Sequence, residues 1–189
     1  MALRNALLAA LIDRESSGYD LAKEFRGSVA NFWTTTPQQL YRELEKMESD
    51  GLLSARIVKQ SKRPDKRLFS VTDAGRAALR EFTRRDPKPT AIRDELLIQV
   101  EALAHADIPS LRSSIRARIE SCTHRLESYQ RTLAEILGDR TDDEFLATGS
   151  RLGPYLTLHR GIAFERDNIA WGRLALGVLA RRYPEAAEH

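Results

Sequence analysis

Seven apolar residues of this chain, Ile115, Ile119, Cys122, Leu126, Tyr129, Leu133 and Ile136, succeed one another at spacings that alternate four and three without a break. Only an α-helix brings that spacing onto one line, and an apolar line of this kind is a seam that a second helix must cover. The pattern predicts a helix from about Ser110 to Leu137. Further on, Tyr155, Ile162, Ile169, Leu176 and Tyr183 recur every seven residues, and Phe164, Trp171 and Val178 form a second row at the same period. A helix with two apolar rows packs on two sides. One neighbour is the seam helix. The sequence holds no candidate for the other, and a second copy of the chain is the natural supplier. Tyr155, Ile162, Phe164, Ile169, Trp171 and Leu176 are therefore the expected dimerisation residues. Ile92, Leu96, Val100 and Leu103 mark a further helix ahead of the seam.

The chain before about residue 90 is patterned differently. Between the two parts lies Arg85-Asp86-Pro87-Lys88-Pro89-Thr90, whose prolines break any helix and make a stiff connector. We read residues 1–86 as one domain and 87–189 as a second. In the first, Leu3, Leu7, Ala10 and Leu11 give one helical face, Ser16-Ser17-Gly18 interrupts it, and Leu21, Ala22 and Phe25 line a second short helix that Gly27 ends. Trp33, beside Phe32, is read as core. A third helix has the clearest start in the chain: Thr36 as cap, Pro37 at the first helical position and Gln39 completing a capping box. Leu40, Leu44 and Met47 face inward, and Gly51 supplies the stop.

Leu53, Ala55 and Ile57 then alternate with polar neighbours, as do Phe69 and Val71, and Pro64-Asp65 marks a turn between the two runs. This is a β-hairpin, after which Thr72 caps a fourth helix through Leu79 and Phe82. Three helices, a hairpin and a helix is the order of a winged helix-turn-helix domain, in which the hairpin closes a three-helix core and the third helix projects. The expected fold is mainly α: an N-terminal winged helix-turn-helix with a two-stranded wing, then a C-terminal helical dimerisation domain.

Composition matters for what the protein touches. Thirty Lys and Arg against twenty-seven Asp and Glu leave only +3, which by itself argues against a nucleic-acid partner. The distribution reverses that argument. Residues 1–86 carry sixteen bases and twelve acids, and 87–189 carry fourteen and fifteen. Within residues 56–67 alone, Arg56, Lys59, Lys62, Arg63, Lys66 and Arg67 oppose one acid, Asp65, a local +5. Such a tip is either a solvated loop or a phosphate contact. On the third helix, Gln38, Arg42 and Ser49 lie opposite the core face, flanked by Gln39 and Tyr41. Read alone this is a polar surface. At the N-terminal end of a projecting helix, Gln and Arg are the side chains that make paired hydrogen bonds to base edges, and Tyr reaches a phosphate or a thymine methyl.

Other classes find little support. There is no apolar run of about 20 residues to span a bilayer, and Asp13, Arg14 and Glu15 end the short apolar stretch of the N-terminus before any signal-peptide cleavage pattern. A cytoplasmic protein is expected. Cys122 is the single cysteine, read as a small core or interface residue. His105, His124, His159 and His189 offer no metal-ligand spacing, and no Gly-rich phosphate loop or nucleophile elbow is present. Neither metal nor cofactor nor enzymatic activity is expected. Asp142-Asp143-Glu144 suits a helix N-terminus. Trp171, besides packing, can border a pocket for a small apolar or aromatic effector. A protein-interaction module whose apolar rows bind a different chain is the reading from another class.

Ser17-Gly18-Tyr19-Asp20-Leu21-Ala22-Lys23-Glu24-Phe25, Gln39-Leu40-Tyr41-Arg42-Glu43-Leu44, Asp50-Gly51-Leu52 and Thr72-Asp73-Ala74-Gly75-Arg76 resemble, in order and spacing, the PadR family of bacterial transcriptional regulators. The remainder is similar in length, and around Leu156-Thr157-Leu158-His159-Arg160-Gly161, to the helical C-terminal domain of that family's large subgroup. The resemblance implies a homodimer on a pseudo-palindromic double-stranded operator, usually a repressor released by a small molecule. It implies that Tyr41, Gln38, Gln39 and Arg42 read the major groove, and that Tyr19 with Lys59, Lys62, Arg63, Lys66 and Arg67 holds phosphates. The wing tip lacks the glycine common in the family.

Overall fold

The computed structural model describes residues 2–25, 33, 35–59, 65–87, 89 and 93–184. The chain divides into two units, Met1–Pro89 and Thr90–His189.

The first unit runs α1 (Ala2–Leu11), β1 (Ser16–Ser17), α2 (Gly18–Glu24), α3 (Pro37–Ser49), β2 (Leu53–Val58), β3 (Lys66–Val71) and α4 (Asp73–Thr83). Its core is made by Leu7, Leu8 and Leu11 of α1, Leu21, Ala22 and Phe25 at α2, Leu40, Leu44 and Met47 of α3, and Leu53, Phe69 and Val71 of the strands, with Trp33 packed against it. Leu8 widens the α1 stripe beyond the spacing read from the sequence, since residues 7, 8 and 11 all fall within one broad apolar face. The α3 capping box forms as expected. Thr36 accepts from the Gln39 amide at 3.2 Å, and Gln39 Oε1 accepts from the Thr36 amide at 3.2 Å. Gly51 follows the Asp50 cap with φ of +72°, a left-handed conformation that a side chain disfavours.

The sheet corrects the sequence reading in one respect. It has three strands in the order β1-β3-β2, all antiparallel. The wing itself is the two-stranded β2–β3 ladder, in register from Leu53 opposite Val71 to Val58 opposite Lys66. Ser16 and Ser17, read as a helix break, pair with Phe69 and Leu68 on the other edge of β3 and are buried. Two serines carry no alternation from which a strand could be read. The wing outruns the core, so Ile57 is 70% exposed although it lies on the same side of β2 as buried Leu53.

The second unit comprises α5 (Glu95–Glu101), a 3₁₀ turn (Leu103–His105), α6 (Ile108–Leu137), α7 (Asp142–Thr148) and α8 (Leu152–Arg182). Helix α6 is the seam helix and α8 covers it. Ile115, Cys122, Tyr129 and Ile136 are buried, with Ile119, Leu126 and Leu133 partly so. The two helices run antiparallel: Arg112 near the start of α6 donates to the carbonyls of Leu179 and Tyr183 at the end of α8, and Arg125 pairs with Glu165 nearer the other end. α7 is an additional short helix that the sequence reading did not separate. Its Thr141–Glu144 capping box encloses the acidic cluster, with Glu144 belonging to both.

Asp94 joins α5 to α6. It accepts from the Leu96 amide at 3.1 Å and takes both terminal nitrogens of Arg118 at 2.8 and 2.9 Å. The Arg118 guanidinium holds the Asp94 carboxyl below the usual carboxylate range, against the opposing effect of burial. A carboxyl depressed in the folded state stabilises above its unfolded value, near ~4, and that contribution is lost as pH falls through the folded value. Asp94→Asn is therefore expected to cost roughly 1 kcal/mol at neutral pH and nothing in strong acid. Thermal unfolding from pH 7 to pH 2 checks this; an equal deficit at both ends would remove the ion pair as its cause.

Candidate nucleic-acid interface

Helix α3 owes its exposure to its own pattern. With Leu40, Leu44 and Met47 fully buried, Gln38, Arg42 and Ser49 face solvent on the opposite side. Among the described residues no ion pair holds Arg42. Gln39 is also exposed, but its carboxamide oxygen closes the capping box and is further approached by the Thr35 hydroxyl at 3.3 Å. Only its amide nitrogen is left for another partner.

Tyr41 is 43% exposed. Part of its ring lies on α2 at Gly18, where an added Cβ would come 2.4 Å from Tyr41 Cε1. Glycine at the first position of α2 is thus what lets the Tyr41 ring settle there. Tyr19, next in the chain, is 68% exposed on the same short helix. Gly18→Ala is expected to push the Tyr41 ring off α2 while leaving the core intact, because the clash is with the far end of a side chain. Unfolding should change by less than about 1 kcal/mol, and fluorescence quenching of Tyr41 by added iodide should rise. A large loss of stability with no change in ring exposure would place the constraint in the backbone instead.

The wing residues divide. Lys62 and Arg63 lie outside the described residues, and Lys59 is exposed at the end of β2. Arg56, Lys66 and Arg67 are not the unopposed charges that the local sequence suggests. The Nε of Arg56 donates to the Glu15 carboxylate at 2.9 and 3.1 Å, and its Nη2 does so as well. Lys66 Nζ lies 2.8 Å from Asp20 of α2. Arg67 pairs with Glu48 of α3 while its guanidinium sits 5.2 Å above the Phe69 ring. Arg56 holds the Glu15 carboxyl below the usual range, and Lys66, aided by Ser17, does the same for Asp20. With Glu15, Asp20 and Glu48 counted beside Asp65, the formal tally of the six bases falls from +5 to +2. The sequence reading missed these three acids. Each is remote in sequence from its partner, and only the fold brings them together.

In the second unit, Tyr155, Ile162 and Ile169 are buried in the unit's own interior, and Leu176 is packed there too. Phe164 is 50% exposed, and Leu156, Leu174 and Val178, on the same side of α8, are exposed as well. That side lies opposite the one turned to α6. Trp171 borders an apolar hollow of about 220 Å³ between α5, α6 and α8, lined also by Val100, Leu103, Ile115 and Leu179. Cys122 is fully buried, and burial, with the neighbouring Glu165 carboxylate, pushes its thiol up to about 11, so it is neither ionised nor nucleophilic at neutral pH. His124 stands 4.0 Å from both Glu120 and Glu127 on the exposed side of α6. Among the described residues, no group of three or more His, Cys, Asp or Glu side chains is placed to hold a metal ion, and no helix is long and apolar enough to cross a membrane.

A three-helix unit with a paired wing and a solvent-facing third helix is the fold of the winged helix-turn-helix transcriptional regulators. Comparison with known proteins narrows the class. The model of the "Transcriptional regulator PadR-like family" matches residues 7–81, and that of the "Virulence activator alpha C-term" matches residues 92–180. The Mycobacterium tuberculosis protein described as "Probable transcriptional regulator Rv1176c" is 32% identical over 185 residues, covering 90% of this chain and 94% of its own. The fold is also that of Bacillus subtilis PadR solved in complex with operator DNA (TM-score 0.76, 23% identity, 92% of this chain and 97% of that one). The same protein, described as a "Negative transcriptional regulator", has been solved with p-coumaric acid (TM-score 0.68, 21% identity, 95% and 99% covered). The Vibrio cholerae virulence activator AphA matches with a TM-score of 0.70 at 27% identity, over 95% of this chain and 99% of that one. The chain belongs to the PadR-like family of transcriptional regulators. It is a regulator and not an enzyme.

Proposed function

We propose that this regulator is a homodimeric repressor that binds a pseudo-palindromic operator and is released by a small apolar or aromatic effector. Residues 1–86 serve as the DNA-binding domain and residues 87–189 as the dimerisation and effector domain. The observation that carries the reading is the outward side of α3, where Gln38, Tyr41 and Arg42 stand exposed beside a basic wing. The operator complex of Bacillus subtilis PadR supports it at the level of fold. In this reading α3 enters the major groove, Gln38, Gln39, Tyr41 and Arg42 contact bases, and Tyr19, Lys59, Lys62, Arg63, Lys66 and Arg67 contact phosphates.

The exposed apolar side of α8, with Phe164 and Trp171, serves as the dimer surface. The apolar hollow beside Trp171 takes the effector. Its lining is apolar throughout, which suits an aromatic or lipophilic molecule. Ligand binding shifts the population toward a dimer in which the two α3 helices no longer match the ~34–36 Å of one DNA turn.

The test is selection of bound duplexes from a random pool, repeated with aromatic and lipophilic ligands. The expected product is a two-fold symmetric site whose recovery falls with one ligand class. Recovery of no enriched sequence would overturn the operator reading. The exposed α8 side equally suits a different protein chain. Sedimentation of the purified protein separates the two, since a stable monomer would favour that second reading.

A further inference from the structure

Three carboxylates, one from the turn before β1, one from α2 and one from α3, each meet one cation of the wing root: Glu15 with Arg56, Asp20 with Lys66, and Glu48 with Arg67. None of the pairs is buried. Side-chain exposure runs from 30% to 59% across the six partners. Exposed pairs of this kind add little to stability, so three of them around one hairpin need another account. Lys66 and Arg67 are among the side chains assigned above to DNA, and Arg56 stands on the strand paired with theirs.

We propose that Glu15, Asp20 and Glu48 are the built-in counter-ions of the wing, occupying Arg56, Lys66 and Arg67 in the free protein and lowering the sequence-independent part of its affinity for DNA. The inference rests on the reading of the wing as a phosphate-contacting element. A cation that reaches a phosphate from bulk water releases a counterion from the DNA, and that release is the driving force. A cation that must first leave a carboxylate exposes an anion beside the phosphates. The anion repels the duplex and recruits a cation from solution, which cancels the release. The wing therefore contributes fewer effective contacts than its bases would indicate. Base reading by α3 is untouched, because Gln38 and Arg42 pair with none of the three acids. The consequence is a regulator that leaves bulk DNA readily and depends for residence on the bases that it reads.

The alternative is that the acids are struts that hold the wing in place for DNA. The two readings predict opposite signs. Glu48→Gln, Glu15→Gln and the double variant keep side-chain size and hydrogen-bonding capacity. Their binding to a duplex of random sequence is measured from 0.05 to 0.3 M salt, beside wild type and Lys59→Ala, with thermal unfolding as the folding control. One restored contact adds about 0.9 to the salt slope, which is about eightfold in affinity at 0.1 M relative to 1 M salt. Each single variant should bind up to about eightfold more tightly, with a steeper slope, and the double variant more tightly still. Unchanged or weaker binding by correctly folded variants, while wild type is salt-dependent and Lys59→Ala weakens it, overturns the counter-ion role and leaves the DNA-facing wing standing. Salt-independent binding by wild type overturns the DNA-facing wing, and this inference with it.

Discussion

Arg125→Leu is expected to destabilise the protein by about 3 kcal/mol. The Glu165 side chain on α8 is only 4% exposed, whereas that of Arg125 on α6 is 41% exposed. Arg125 meets both carboxylate oxygens, at 2.7 and 3.0 Å, and also donates to Ser121 Oγ at 2.7 Å and Cys122 Sγ at 3.1 Å. Removing the arginine leaves a buried carboxylate between two helices without its guanidinium partner. Removing the glutamate is milder, because the half-exposed guanidinium can turn back to solvent. Glu165→Leu should accordingly cost about 1 kcal/mol, and the double replacement by leucine should recover most of the loss, since an apolar pair needs no compensation. Urea unfolding at one protein concentration checks all three. Equal small costs for the two single variants would show that Glu165 finds water or another partner when Arg125 is gone.

That asymmetry bears on what was legible in the sequence. The seam from Ile115 to Ile136 gave α6 almost to the residue, because a heptad repeat is a statement about one helix and needs no knowledge of its neighbour. The same holds for α3, whose cap, first-turn proline and inward residues all lie within one stretch. Arg125 and Glu165 are forty residues apart, so neither names the other. Glu165 does fall on the buried line of α8, three residues after Ile162 and four before Ile169, but its pairing with Arg125 is settled only by how α6 and α8 meet. β1 escaped for a related reason. A strand of two residues has no period, and its pairing with Phe69 and Leu68 is a property of the chain fifty residues later.

The candidate interface shows the same division. Gln38, Tyr41 and Arg42 were legible because the inward positions of α3 fix the outward ones. The wing's charge was legible as a total and misleading as a quantity. The twelve residues from Arg56 to Arg67 show six bases and one acid, but Glu15, Asp20 and Glu48 arrive from elsewhere and remove three of the five excess charges. Gln39 was read both as a cap and as a base reader. The structure gives its carbonyl oxygen to the cap, so only its amide nitrogen is left for a further partner.

Arg42→Ala is the replacement expected to weaken operator binding most. Arg42 is exposed, stands opposite Leu40 and Leu44 on α3, and among the described residues has no carboxylate partner to lose. Its loss should leave unfolding unchanged within about 0.5 kcal/mol, as for a surface substitution that breaks no contact. A planar guanidinium that meets a guanine edge with two hydrogen bonds contributes about 1–3 kcal/mol of discrimination. A dimer on a symmetric site makes the contact twice, so about 2–6 kcal/mol is at stake per operator. Arg42→Lys keeps the charge but cannot form the paired geometry, and it should fall close to alanine on the operator while matching wild type on random sequence. That contrast separates the two ways in which an arginine can bind DNA. If lysine restores operator affinity, Arg42 serves as a charge on a phosphate, and the salt slope of the alanine variant should then drop by about 0.9 per contact. If alanine and lysine both bind the operator as wild type does, α3 is read through Gln38 and Tyr41, and the Gly18→Ala variant, which displaces the Tyr41 ring, becomes the one that loses the operator.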